Sequence, residues 1–195
     1  FYAHEANVVA MTERSPSLFR EIEQQYGFVG GSKEQYIKYL ARDDCKPLWV
    51  WELMSTVKAI AGISTVPKKD NIGLRKILTQ CAANYAFTDV RTRSCLGMMG
   101  GSALARAFVP SDDIAVSALD EDSAFTYIRV PQWLRLWCGG PPLLASEVWA
   151  LLPPSLQAVI NLPCSTYVSP TYTRLAMGSA RAVHIIMQID LHSIG

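Results

Sequence analysis

The sequence predicts an α/β (α+β) domain in which helices come first, an antiparallel hairpin follows, and a buried strand then runs into an acidic helix start. Three observations carry this. Apolar residues recur at helical spacing behind serines over 15–42. Two apolar runs flank a turn rich in Asp, Asn and Gly over 62–80. Ile114, Val116 and Ala118 alternate with smaller or polar neighbours up to Leu119 and Asp120.

A chain of 195 residues that is 50% hydrophobic can bury a core, which excludes a disordered segment. Its net charge of +1 excludes the global polybasic signature of an obvious nucleic-acid binder. The charge is nonetheless uneven. Residues 58–93 carry seven bases against two acids, and 111–122 carry five acids and no base, a pattern suited either to holding polyphosphate beside metal or to two solvated faces. The five cysteines, Cys45, Cys81, Cys95, Cys138 and Cys164, form no Cys-x-x-Cys pair and share the chain with three histidines. That argues against zinc and for reduced thiols in an intracellular reducing compartment. No apolar run approaches the roughly 18 residues of a membrane span, and nothing resembles a signal peptide. The chain begins at Phe1, so either a leader has been removed or the sequence is a piece of something longer.

Ser15-Pro16-Ser17 before Leu18–Tyr26 predicts a helix with Pro16 in its first turn, closed by Gly27 and Gly30-Gly31. Ser32 with Gln35 three residues on predicts a capping box for a second helix to Arg42. A third helix is expected after Pro47, because Trp49, Trp51, Leu53, Met54, Val57 and Ile60 are apolar around a helical wheel. Gly62–Pro67 and Leu74–Gln80 then read as a hairpin whose tip carries Lys68 and Lys69. Gly97-Met-Met-Gly-Gly101 lacks the Gly-Lys-Ser/Thr ending of a phosphate loop. Residues 131–154, rich in Trp and Pro, predict short helices with proline stops, their aromatics packed in a core or interface or stacked on bases. A last helix is expected over Ala182–Ile189.

Asp120, Glu121 and Asp122 stand where the strand gives way to an expected helix at Ser123–Ile128. Carboxylates there either cap the helix and face water, or hold a divalent metal such as magnesium for phosphoryl transfer.

The order of these pieces resembles that of the reverse transcriptases. A basic hairpin with Lys68-Lys69-Asp70 and Arg75-Lys76 precedes a strand ending in Asp120-x-x-x-Ala124-Phe125, and Arg174-Leu-x-Met177-Gly178 comes before a helix. The likeness spans about residues 15–190 and is greatest to reverse-transcriptase-like reading frames of algal retroelements, through Tyr26–Gly31, Val66–Asp70 and Leu175–Gly178. It implies a right-hand polymerase fold: fingers over 1–95, part of an antiparallel palm over 96–130, a second fingers segment over 131–170, and a returning palm over 171–195, incomplete at the C-terminus.

The resemblance assigns Asp120 as the first Mg2+ ligand and catalytic carboxylate. It assigns Arg75, with Lys68 or Lys69, to the triphosphate of an incoming deoxynucleotide, where a guanidinium engages phosphate oxygens bidentately. Phe125 becomes the bulky residue that excludes a ribose 2′-hydroxyl, and Met177-Gly178 the template grip. Two departures stand beside it. Ser179-Ala180-Arg181 replaces the usual Ser-Pro, and no Tyr-x-Asp-Asp motif occurs in the 195 residues; Asp112-Asp113 precedes the strand and is a poor substitute. One recognisable carboxylate leaves two-metal catalysis by this chain alone lost or nearly so. The implied partners are nucleic acid and deoxynucleotide if the protein is active, and otherwise proteins covering the incomplete palm. Two other functions fit the sequence: an inert polymerase-derived accessory subunit of a larger assembly, and a single-strand-binding module without chemistry.

Overall fold

The computed structural model describes residues 15–68, 73–87 and 124–194. Helices and antiparallel strands combine in an α+β fold. Helix α1 (Pro16–Tyr26) has Ser15 at its N-cap and Pro16 in its first turn, where a missing N–H costs no helical bond. It ends where Gly27 N–H donates to the Glu23 carbonyl at 2.8 Å. Helix α2 (Lys33–Leu40) opens on the expected capping box: Gln35 N–H donates to Ser32 Oγ at 3.2 Å, and Ser32 N–H to Gln35 Oε1 at 3.3 Å.

The helix expected after Pro47 is instead a strand. One 3-10 turn (Lys46–Leu48) leads into β1 (Trp49–Leu53), and a second turn (Met54–Thr56) follows it. Trp49, Trp51 and Leu53 fit a period of two as well as a helical wheel. What decides between them is a partner more than a hundred residues away: β1 runs antiparallel to β5 (Tyr167–Tyr172), with Trp49 opposite Tyr172 and Leu53 opposite Val168. A short β4 (Leu143–Leu144) covers the start of the other edge of β5. Pro170 stands in the middle of β5, an unusual place for a residue that cannot donate to a ladder.

Local chemistry accommodates the proline. Beyond β4 the edge of β5 is taken over by residues 138–140, with Tyr172 N–H donating to the Cys138 carbonyl at 3.0 Å and Gly140 N–H to the Pro170 carbonyl at 2.7 Å. An N–H at 170 would have faced the Gly140 carbonyl. That carbonyl is satisfied by the Ser169 hydroxyl, at 2.7 Å.

The expected hairpin is present as β2 (Gly62–Pro67) and β3 (Leu74–Thr79), pairing Ile63 with Leu78 and Val66 with Arg75. Its base is anchored by Ile63 N–H to the Phe28 carbonyl and by Ala61 N–H to the Gly139 carbonyl. Helix α3 (Cys81–Ala86) follows and packs on α1. Within the helix expected at Ser123–Ile128 stands α4 (Ala124–Tyr127); the segment 131–154, expected to hold short helices, has α5 (Gln132–Arg135), and α6 (Pro154–Gln157) begins at its last proline. Helix α7 (Ala182–Ile194) closes the chain and packs on α4.

Two apolar clusters hold these elements. The larger joins Tyr36 and Leu40 of α2 to Trp49, Val168 and Tyr172 of the sheet. The smaller packs Phe19, Ala83, Ala86 and Phe87 around Trp137, whose ring meets Phe19 edge-on at 6.5 Å and Phe87 at 5.3 Å. Trp137 therefore belongs to the packed class of tryptophan. Cys45, Cys81, Cys138 and Cys164 are free thiols, and burial pushes that of Cys138 up to about 12. Among the described residues no helix is long and apolar enough to cross a membrane.

Candidate functional site

Strand β3 places its two adjacent cations on opposite faces, because side chains alternate along a strand. Arg75 is exposed. Lys68, also exposed, stands at the mouth of the hairpin, where its N–H donates to the Gly73 carbonyl at 2.8 Å. Lys69 and Asp120 lie outside the described residues, as do Glu121, Asp122 and Cys95. The expected strand at 114–119 and the Gly97–Gly101 stretch lie there too.

Lys76 turns inward instead. Its ammonium sits 3.9 Å from the ring centre of Tyr172 and 5.7 Å from that of Trp49, so cation–π attraction fixes the hairpin to the sheet. Burial lowers its pKa to about 8 from an ordinary 10.5, with the Cys45 thiol nearby opposing that slightly. The Cys45 thiol and the Tyr172 phenol are themselves pushed up by burial and stay neutral at pH 7. Both cations of Arg75-Lys76 were legible as residues. That Lys76 is the inward one needs the strand's register.

The same Tyr172 links the hairpin to α4. A side-chain hydrogen bond from Thr126 reaches Tyr172, and Phe125, half-buried, is the residue before it. Residues 128–130 then run antiparallel to 173–175, with Val130 N–H on the Thr173 carbonyl at 3.1 Å and Leu175 N–H on the Ile128 carbonyl at 2.9 Å. Phe125, Tyr172 and the start of the Met177-Gly178 turn are thereby drawn into one neighbourhood.

The turn itself rests on β3. A Cβ on Gly178 would stand 2.4 Å from the Leu78 carbonyl oxygen, so only glycine lets the two backbones meet. Asn84 of α3, which the sequence alone gives no reason to single out, fastens the turn from below. Its Nδ2 donates to the Gly178 carbonyl at 2.9 Å, and its Oδ1 accepts from Ala180 N–H at 2.8 Å. Met177 is left 63% exposed beside it. Among the described residues no hydrogen bond or ion pair joins Arg75 or Lys68 to Phe125 or Met177.

No family model, curated protein or solved structure matches the chain. Among the described residues no three His, Cys, Asp or Glu side chains come together as a metal site. The acids that carry the magnesium expectation, Asp120 to Asp122, are outside them.

Two consequences are measurable. Gly178→Ala forces the turn off β3, and its overpacking cost is about 1–3 kcal/mol, read as a lower denaturation midpoint. An unchanged midpoint would mean that the turn does not lie on β3. The second concerns Lys76, whose depressed pKa makes the unfolded chain hold more protons than the folded one between about pH 8 and 10.5. The cost of burying the charge is fully present below pH 8 and is relieved as pH rises to 10.5. Wild type should therefore gain up to about 3 kcal/mol across that window relative to Lys76→Met, which keeps the packing and removes the charge. Parallel stability–pH curves for the two proteins would refute a buried Lys76.

Proposed function

We propose that the chain is the fingers–palm part of a reverse-transcriptase-like nucleotidyltransferase, and that it does not catalyse by itself. One observation carries most weight: strand β3, the turn Met177-Gly178 and the helix bearing Phe125 converge around Tyr172 and Leu78 although they are far apart in sequence, with Lys76 on the converging face of the strand and Arg75 on its exposed face. A nucleotidyltransferase of this kind needs such a convergence, since triphosphate, sugar and template base must meet within one nucleotide's reach. Arg75 and Lys68 would take the triphosphate, Phe125 the sugar edge, and Met177-Gly178 the template side. The carboxylates missing from these 195 residues would come from elsewhere in the native protein or its assembly.

The test is template-directed addition of one deoxynucleotide to a primer, by the native protein in magnesium and by this chain alone. Addition by the former that needs template and magnesium, and none by the latter, is expected. Absence of addition in both would overturn the polymerase reading. It would favour the second one, an inert accessory subunit, for which the exposed apolar side chains Leu74, Tyr127 and Met177, at 66%, 76% and 63%, are the supporting observation.

A further inference from the structure

Arg129 and Arg174 face each other across the short antiparallel pairing of 128–130 with 173–175. The flanking hydrogen bonds, Val130 N–H to Thr173 and Leu175 N–H to Ile128, make theirs a non-hydrogen-bonded pair. In that geometry Cα atoms lie about 4.5 Å apart and both side chains leave the same face of the ladder. Like charges directly opposite are destabilising, so two guanidiniums here call for a compensating anion.

None of the ion pairs among the described residues reaches either guanidinium. Glu23, Asp43, Asp44, Glu52 and Glu147 are engaged by Arg20, Lys46, Arg42, Arg135 and Lys33 respectively. Arg174 is half-buried, and its Nε–H is buried without a hydrogen-bond partner. Positive charge continues along the same row. Tyr172, two residues before Arg174 on the same face, feels the Arg174 charge and carries Lys76 on its ring at 3.9 Å. Arg129 itself is exposed, so the row opens to solvent at one end.

We infer that Arg129 and Arg174 together bind a phosphate group, that of a single-stranded nucleic acid lying across the 128–130 and 173–175 ladder. Two forks from opposite strands can each present paired N–H donors to phosphate oxygens, a geometry that lysine cannot reproduce. Assignment to a strand rests on the polymerase reading, in which Arg75 and Lys68 already serve the free triphosphate.

The experiment measures binding of a fluorescent single-stranded 12-mer, and separately of a deoxynucleoside triphosphate, to the native protein in EDTA over a range of salt. Neutralising one phosphate contact should reduce the slope of log affinity against log salt by about 0.7 for a single strand. Arg129→Gln is expected to do so while leaving triphosphate binding unchanged, and Arg174→Lys to weaken the strand several-fold with the slope retained. Weakened triphosphate binding with an unaltered strand would keep the phosphate site but make the free nucleotide its source. Neither ligand being weakened would overturn the site. Because it removes a like-charge contact, Arg129→Gln should melt at or above the wild-type temperature; a lower midpoint would mean the pair serves the fold, and would also overturn it. No catalysis is required, so strand binding through the pair in a protein that adds no nucleotide would sink the polymerase reading alone.

Discussion

In the native protein, Asp120→Asn should lower magnesium-dependent nucleotide addition about a thousandfold. The substitution separates two roles that the acidic stretch 120–122 could have. Asparagine caps a helix as well as aspartate does, so if Asp120 only stabilises the start of α4 at Ala124, activity and stability should both survive. As a metal ligand the same residue contributes a full negative charge that an amide lacks. Loss of that charge at a site stabilising developing phosphate charge is worth several kcal/mol, and each 1.36 kcal/mol is tenfold in rate. Glu121→Gln and Asp122→Asn act as internal controls, since the resemblance assigns neither to the metal. Raising magnesium should recover part of the Asp120→Asn loss if the defect is metal affinity. Equal activity in wild type and Asp120→Asn would remove Asp120 from the chemistry and leave the capping role.

What the sequence revealed of this fold depended on how far apart the deciding residues are. The capping box of α2 is complete within four residues, and the β2–β3 hairpin within eighteen, so both were legible. The sheet was not. Trp49–Leu53 carries a pattern compatible with two periods, and only pairing with Tyr167–Tyr172 selects the strand. Pro170 in that partner lacks an N–H for the ladder, and the Ser169 hydroxyl makes good the loss by donating to the carbonyl of Gly140. The candidate site divides in the same way. Arg75, Lys68, Phe125, Met177 and Gly178 could be named from motif order. Asn84, Arg129 and the inward turn of Lys76 depend on contacts between distant segments. A polar side chain that holds someone else's backbone leaves no periodic trace in its own neighbourhood.

The junction of hairpin and sheet is where the fold should be most sensitive, and Trp49→Ala is expected to cost about 3–5 kcal/mol. Trp49 is 6% exposed and lies against Tyr172 at 5.0 Å and Tyr39 at 6.4 Å, with the Lys76 ammonium on its ring. Truncation empties the centre of the larger cluster, and β1, α2 and β5 cannot close over so large a void without breaking the Trp49–Tyr172 register. For a chain of this length the midpoint of thermal unfolding should fall by about 6–20 °C. Trp49→Phe, which keeps an aromatic face for Lys76 and Tyr172, should lose far less. The two variants also test the strand itself. On an exposed helix alanine would be the better helix former and would stabilise the chain by a few tenths of a kcal/mol. A gain in stability would therefore contradict the β1–β5 pairing. A large loss spared by phenylalanine would place the aromatic contact of Trp49 and Tyr172 at the centre of the core, with Lys76 and the hairpin held against it.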